Sequence, residues 1–116
     1  MGKMKLGFLA SHGGSNMQAI IDNCKAGKLD AEPAVVISNN SGSGALERAE
    51  NEGIPHYHIS GKTHPGEGEE EQAILEALEK HDVDLLILAG YMKMIGKNIL
   101  RKYDNRILNI HPALLP

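Results

Sequence analysis

Apolar residues recur along the chain in short runs, separated by polar segments that contain glycine, and two different periods alternate. The runs MKLGFLA and DLLILA are nearly continuous, which is typical of strands buried on both faces of a sheet. Elsewhere, apolar residues return every three or four positions, as Met17, Ile21 and Cys24 do, which indicates helices packed on one side. The pattern therefore predicts that strands and helices alternate throughout the chain.

The predicted elements are joined by short connections. Strands are expected at residues 4–10, 34–38, 55–59, 84–89 and 106–110, and helices between 17 and 27 and at 45–51, 69–81 and 97–103. This order favours an α/β fold with a mostly parallel sheet, right-handed crossovers and helices on both faces. Residues 1–116 are expected to form one domain, because domains of about 100–150 residues are the commonest size.

Composition and charge narrow the class of protein. The net charge of −3 argues against a nucleic-acid partner, and no apolar run approaches the roughly 20 residues of a membrane span. The first residues lack the long apolar stretch of a signal peptide. The single cysteine, Cys24, excludes an internal disulfide framework, favours a cytoplasmic setting and is expected to be a small core residue. With no Trp and one Phe, the core is predicted to be aliphatic.

The loop Ser-His-Gly-Gly-Ser-Asn at residues 11–16 joins the first strand to the first helix. The N–H groups at a helix N-terminus lack partners within the helix and favour an anion, and glycines allow the backbone to approach it. Ser15 and Asn16 add side-chain donors. The loop is neither GxGxxG nor a Walker A sequence, so a single phosphate group is the expected ligand. The alternative, a simple glycine turn in which Ser15 caps the helix, stays open.

The segments 11–16, 90–95 and 109–116 each follow a strand directly, where ligands bind in open parallel sheets. Asn109 and His111 share one face if the last strand reaches residue 110. An amide and an imidazole suit a reaction that develops negative charge on a carbonyl oxygen, because one can donate a hydrogen bond and the other a proton. An ordinary structural histidine is the alternative at residue 111.

His56 and His58 also fall on one strand face, with His64 nearby, which raises the alternative of a metal site. Neither a cysteine cluster nor an HExxH pattern supports zinc, so no metal is expected.

Several segments together carry a resemblance to a known family: GFLASHGGSNMQAIID, VVISNN, ALERAENEGIP, DLLILAGYMKMIG and RILNIHPALLP. The chain resembles the formyltransferase family over its whole length. The GSN loop followed by an MQAII helix is similar to the phosphoribosylglycinamide branch, whereas the last segment is shared across the family. The resemblance implies a Rossmann-like fold and an enzyme of purine synthesis.

The resemblance also implies the reaction and the residues. A formyl group would pass from 10-formyltetrahydrofolate to the amine of 5'-phosphoribosylglycinamide by direct attack, with no metal and no covalent enzyme intermediate. Asn109 would stabilise the oxyanion and contact the folate, and His111 would act as general acid. The remaining residues implied are Gly14, Ser15 and Asn16 at the substrate phosphate, and Met92, Lys93, Met94 and Ile95 at the folate.

Four departures from the family pattern are visible. His12 and Gly13 replace the usual Gly-Asn, Lys93 stands where arginine is common, and residues 61–71 differ, so no folate contact is assigned there. The sequence stops at Pro116, before the aspartate that pairs with the catalytic histidine in the family. The expectation is an N-terminal portion of the domain or a shortened protein. Its last strand would be an exposed edge, so the chain is expected to be aggregation-prone, marginally stable or a homodimer unless something else covers that edge.

Two other functions are alternatives to the formyltransferase. A 10-formyltetrahydrofolate deformylase would use the same amide and imidazole to activate water, and would release formate without the glycinamide substrate. A non-catalytic fragment would bind the ribonucleotide without turnover. A tRNA formyltransferase is disfavoured because the chain has no basic surface for nucleic acid.

Overall fold

The computed structural model describes residues 3–110, and within that range strand and helix alternate as the hydrophobic pattern predicts. The strands are β1 (Met4–Ala10), β2 (Ala31–Ser38), β3 (His56–His58), β4 (Leu85–Ala89) and β5 (Ile107–Ile110). The helices are α1 (Ser15–Lys25), α2 (Gly44–Asn51), α3 (Glu69–Lys80) and α4 (Lys97–Lys102). The predicted element order is therefore confirmed, with small shifts in the boundaries.

The largest shift is at β2, which begins at Ala31 rather than at residue 34. Pro33 lies inside this strand, although proline cannot donate to a sheet ladder and is usually confined to edges and bulges. The register between β1 and β2 shifts at this point, so that Leu6 faces Pro33 and Gly7 faces Val35. On its other side β2 pairs with β3 only from Val36 onward, so Pro33 interrupts no ladder there.

All five strands are parallel and lie in the order β3-β2-β1-β4-β5. The chain runs outward from β1 through β2 to β3, crosses back, and continues with β4 and β5 on the other side of β1. β1 and β4 are therefore neighbours, but the chain continues from β1 toward one edge of the sheet and from β4 toward the other. In open parallel sheets this reversal opens a crevice at the carboxyl ends of the strands.

Helices cover both faces of the sheet, as predicted, and each face has its own core. The core under α1 and α2 includes Phe8, Met17, Ile21, Val36 and Ala49. The core under α3 and α4 includes Leu9, Ile37, Leu78, Leu86, Ile99 and Tyr103. Apart from Phe8 and Tyr103, the largest fully buried side chains are aliphatic or methionine, which confirms the expected character of the core.

Cys24 is buried and has no disulfide partner, as expected of a small core residue. Burial raises the pKa of its thiol, with a smaller opposing effect from the charge of Lys3. Thiolate is the reactive form of cysteine, so this thiol is a poor nucleophile at neutral pH.

β3 and β5 are the edges of the described sheet, as expected for the last strand. Leu108 on β5 is half exposed. Across residues 3–110, the structure contains no helix with the length and apolar character needed to cross a membrane.

Candidate functional site

A cleft of about 350 Å³ lies at the carboxyl ends of β1 and β4, where the direction of the chain reverses. Three separate segments line it: the loop after β1, the loop after β4, and the end of β5. The lining residues are His12, Gly13, Gly14, Ser15, Asn16, Ala89, Gly90, Tyr91, Met92 and Asn109. The fold thus brings together three parts that are far apart in the sequence: the loop at residues 11–16, here called the glycine loop, Met92 and Asn109.

The glycine loop is held against α2 through its carbonyl groups. Ala45 N–H donates to the His12 oxygen over 3.0 Å, and Arg48 Nε donates to the Gly13 oxygen over 2.7 Å. Carbonyl oxygens repel anions, and these two are occupied by donors from α2. With these carbonyl oxygens occupied, the N-terminal end of α1 lies beside the cleft, where the helix dipole favours negative charge.

Gly14 is required at its position for two reasons. Its φ of 76° is in the left-handed region that favours glycine. A Cβ placed there would also lie 3.1 Å from the Cα and the Cβ of Ala45. Gly14 is itself the N-cap of α1 and Ser15 is the first helical residue, with no side-chain cap on this helix. The alternative in which Ser15 caps the helix is therefore wrong.

The predicted folate residues in the loop after β4 do not all lie in the same cleft. Met92 lines the main cleft, whereas Met94 and Ile95 line a neighbouring cleft of about 120 Å³ beside α3. Met92 and Met94 are 72% and 95% exposed, so their side chains do not anchor the loop. Lys93 is absent from the lining of both clefts, and its Nζ lies 3.0 Å from each carboxylate oxygen of Glu70.

The first turn of α3 carries three glutamates, where negative charge interacts favourably with the helix dipole. The structure gives them further contacts. Glu70 pairs with Lys93, and Glu71 reaches the start of α4, where its Oε2 accepts from Asn98 N–H at 2.8 Å and Ile99 N–H at 3.1 Å. Since α4 has no side-chain cap of its own, Glu71 caps it from another helix. In addition to the dipole interaction, Glu70 and Glu71 therefore tie α3 to residues 93–99.

Ser11 is a contact residue that sequence reasoning placed in the polar loop without a role. It is buried, and its Oγ accepts from Met92 N–H at 2.8 Å and donates to Asn39 Oδ1 at 2.7 Å. The two partners follow β4 and β2, the strands on either side of β1. Its only sequence signal was its position immediately after a buried strand.

Asn109 lies on β5 opposite Leu88 of β4, is exposed, and borders the main cleft. An amide at this place can donate a hydrogen bond to a ligand oxygen in the cleft. His111 lies outside the described residues, so its pairing with Asn109 on one face stays a prediction.

Tyr91 is the titratable group of the cleft whose pKa is clearly shifted. Burial, reinforced by the charge of Glu70, raises the pKa of its phenol to about 12. The phenol therefore stays protonated at neutral pH and can serve as a hydrogen-bond donor but not as a base.

Two of the three histidines considered for a metal site have other contacts. His56 Nδ1 lies 2.9 Å from the Ile54 carbonyl oxygen, and His64 Nδ1 lies 2.8 Å from Thr63 Oγ1. Within residues 3–110, His, Cys, Asp and Glu side chains form no group of three or more that could hold a metal ion.

A larger cleft, of about 560 Å³, lies at the opposite, amino end of the sheet. Its charged side chains neutralise one another: Lys25 Nζ is 2.9 Å from Glu52 Oε1, and Lys5 Nζ is 3.8 Å from Asp82 Oδ2. The smaller cleft at the carboxyl ends is the better candidate site, because the glycine loop, the helix N-terminus and Asn109 converge there.

Together, the parallel sheet and the cleft at its reversal point define an α/β protein of the Rossmann-like class. Residues 4–116 match the formyl transferase family model. The chain belongs to the formyl transferase family.

Individual relatives agree with this assignment. The chain is 40% identical to the phosphoribosylglycinamide formyltransferase of Bacillus subtilis, with 97% of this chain and 57% of the relative covered. It matches the crystal structure of glycinamide ribonucleotide transformylase 1 from Symbiobacterium toebii with a TM-score of 0.89 and 40% identity, covering 98% of this chain and 54% of that one. A formyltetrahydrofolate deformylase from Pseudomonas putida is more distant, with a TM-score of 0.81 and 26% identity, covering 98% and 40%. The chain thus spans about half the length of the first two relatives.

Proposed function

We propose that this chain forms the substrate-binding part of a phosphoribosylglycinamide formyltransferase of purine synthesis. The whole protein would transfer a formyl group from 10-formyltetrahydrofolate to the amine of 5'-phosphoribosylglycinamide. The observation that carries the proposal is the convergence of the glycine loop, Met92 and Asn109 on one cleft. The greater similarity to phosphoribosylglycinamide formyltransferases than to the deformylase supports an amine, rather than water, as the acceptor.

The phosphate of the ribonucleotide would bind at Gly14, Ser15 and Asn16. Two features support this assignment: the N-terminus of α1 beside the cleft, and the occupation of the His12 and Gly13 carbonyls by α2. Both features lower the cost of placing a dianion against this loop.

The formyl donor would lie against residues Met92–Ile95 and supply the one-carbon group. Because Met92 and Met94 are largely exposed and Lys93 is paired with Glu70, binding through the backbone of this loop fits the residues better than binding through their side chains. Asn109 borders the same cleft and would contact the donor near its formyl group.

In the proposed reaction, the substrate amine forms a bond to the formyl carbon and the bond from that carbon to the folate nitrogen breaks. The amine loses a proton and the folate nitrogen gains one. The side-chain N–H of Asn109 would donate a hydrogen bond to the formyl oxygen as negative charge develops on it. His111 would act as the general acid. No step requires a metal.

The lone, buried cysteine supports a reducing compartment, and we place the reaction in the cytoplasm. The partners we propose are these small molecules and, through the exposed edge at β5, a second copy of the chain. Light scattering of the purified protein would detect such a homodimer.

The test is a direct assay of the whole protein with both substrates, in which the deformylated folate is followed spectroscopically. Asn109→Ala should lower kcat about 10²–10³-fold, the cost of removing one oxyanion donor. Ribonucleotide binding should change little. The matched control is Asn51→Ala, because Asn51 is exposed at the end of α2 and does not line the cleft.

Other outcomes separate the alternatives. Formate release at equal rates with and without the glycinamide substrate would identify a deformylase. Ribonucleotide binding by the whole protein without turnover would identify a non-catalytic binding unit. Absence of binding to either substrate would refute the proposed function.

A further inference from the structure

We propose that Ser11 is a positioning residue for the formyl donor, an inference that rests on the proposed function. Its hydroxyl accepts a hydrogen bond from Met92 N–H at 2.8 Å and donates one to Asn39 Oδ1 at 2.7 Å. The residue is only 3% exposed. Through this hydroxyl the end of β1 sets the backbone of the loop that would receive the donor.

The direction of both hydrogen bonds follows from the groups involved. A backbone N–H can only donate, so Ser11 Oγ must accept from Met92. The single hydroxyl proton is then left for Asn39, whose side-chain oxygen accepts it. The two partners together therefore fix the orientation of the Ser11 hydroxyl, and its single proton is used.

The hydroxyl joins loops that belong to three neighbouring strands. Ser11 follows β1, Asn39 follows β2 and Met92 follows β4, in the spatial order β2-β1-β4. The partners are 28 and 81 residues away in the sequence. Ser11 therefore ties the loops together across the reversal point, where they would otherwise diverge.

Met92 depends on such a bond because its own side chain is exposed, whereas Tyr91 and Ile95 of the same loop pack against the core under α3 and α4. Met92 is 72% exposed while its backbone N–H is held by Ser11. Polar contacts further along the chain, at Lys93 and Asn98, join the segment to Glu70 and Glu71. Ser11 fixes the backbone of Met92 from the side of the sheet, and it is the first residue of the glycine loop.

The first experiment compares Ser11→Ala with Ser38→Ala. Ser38 is also a buried serine at the end of a strand, but among residues 3–110 its hydroxyl bonds only to the backbone of Asn40. We expect Ser11→Ala to raise the Kd for 10-formyltetrahydrofolate about tenfold, the equivalent of one lost hydrogen bond. The Kd for 5'-phosphoribosylglycinamide should stay within about twofold of the wild-type value. The control should change neither.

A double-mutant cycle tests whether the bond to Asn39 acts through the same hydroxyl. If Asn39 only orients Ser11, Asn39→Ala should weaken donor binding in the wild-type background and have no added effect in Ser11→Ala. Fully additive effects would contradict that coupling.

A second measurement needs no ligand. Amide hydrogen exchange at Met92 should accelerate about tenfold in Ser11→Ala and stay unchanged in Ser38→Ala, because only the first variant frees that N–H. Unchanged exchange at Met92, unchanged donor affinity, or equal weakening of both substrates would overturn the positioning role. If the wild-type chain binds neither substrate, the proposed function fails, and with it the assigned role for the donor.

Discussion

Replacement of Gly14 by alanine tests whether packing against α2, in addition to the turn, requires glycine at the start of α1. The left-handed backbone, with a φ of 76°, costs a residue with a Cβ about 1–2 kcal/mol. The added Cβ would lie 3.1 Å from the Cα and Cβ of Ala45 and 3.3 Å from Met17 Cε. Because Ala45 can move only with α2, we add an overpacking cost of about 1–3 kcal/mol. The expected loss in free energy of unfolding is therefore about 2–5 kcal/mol.

Gly27 provides a matched control within the same chain. It has the same φ of 76°, but a Cβ built there meets no other atom within 4 Å. Gly27→Ala should therefore lose only the conformational part, about 1–2 kcal/mol. The difference between the two losses in free energy of unfolding measures what the close approach of α2 to Gly14 costs a residue with a Cβ.

Urea denaturation followed by far-UV circular dichroism gives both free energies by linear extrapolation. The protein has no tryptophan, so tryptophan fluorescence is not an option. Equal losses in the two variants would refute the packing argument. The same comparison applies to function, since Gly14→Ala, and still more Gly14→Val, should weaken ribonucleotide binding, whereas Gly27→Ala should leave it unchanged.

Three further predictions concern other contacts. Glu71→Ala should lose about 0.5–2 kcal/mol of unfolding free energy with the cap of α4, whereas Glu67→Ala should lose none; equal losses would argue against the cap. Burial, reinforced by the charge of Lys80, lowers the pKa of His81 below its ordinary value of 6.5, so protonation favours the unfolded chain. As pH falls below about 6.5 toward the lower folded-state pKa, the wild type should lose stability more steeply than His81→Gln; parallel urea-derived stability curves would contradict this. Burial raises the pKa of Cys24, so a thiol reagent should label it slowly in the native state and quickly in urea, and rapid native labelling would count against that burial.

Much of the candidate site could be predicted from the sequence, because each of its segments follows a predicted strand. The carboxyl ends of parallel strands share one edge, so the glycine loop, the loop at Met92 and Asn109 were expected close together. The structure places all three on one cleft. The roles given to them in binding and catalysis stay predictions.

The contacts that hold this site were not predictable in the same way. Ser11 bonds to residues 28 and 81 positions away, and Glu71 caps a helix that begins 26 residues later in the chain. The sequence around Glu71 looks like an ordinary acidic first turn, and the sequence around Ser15 looks like an ordinary cap. Only the packing of one element on another decides which acceptor reaches which donor.

The sequence by itself determined the alternation of strands and helices, the aliphatic two-sided core and the family. These depend on local periodicity and on short motifs, which can be recognised without knowledge of the neighbouring elements. The tertiary structure decided that β1 lies between β2 and β4, and therefore that Ser11 could join their loops. It also decided that α2 packs tightly against Gly14. The physical reason is that strand order and helix packing are set by burial of the whole chain at once, so such long-range contacts leave little trace in the local sequence.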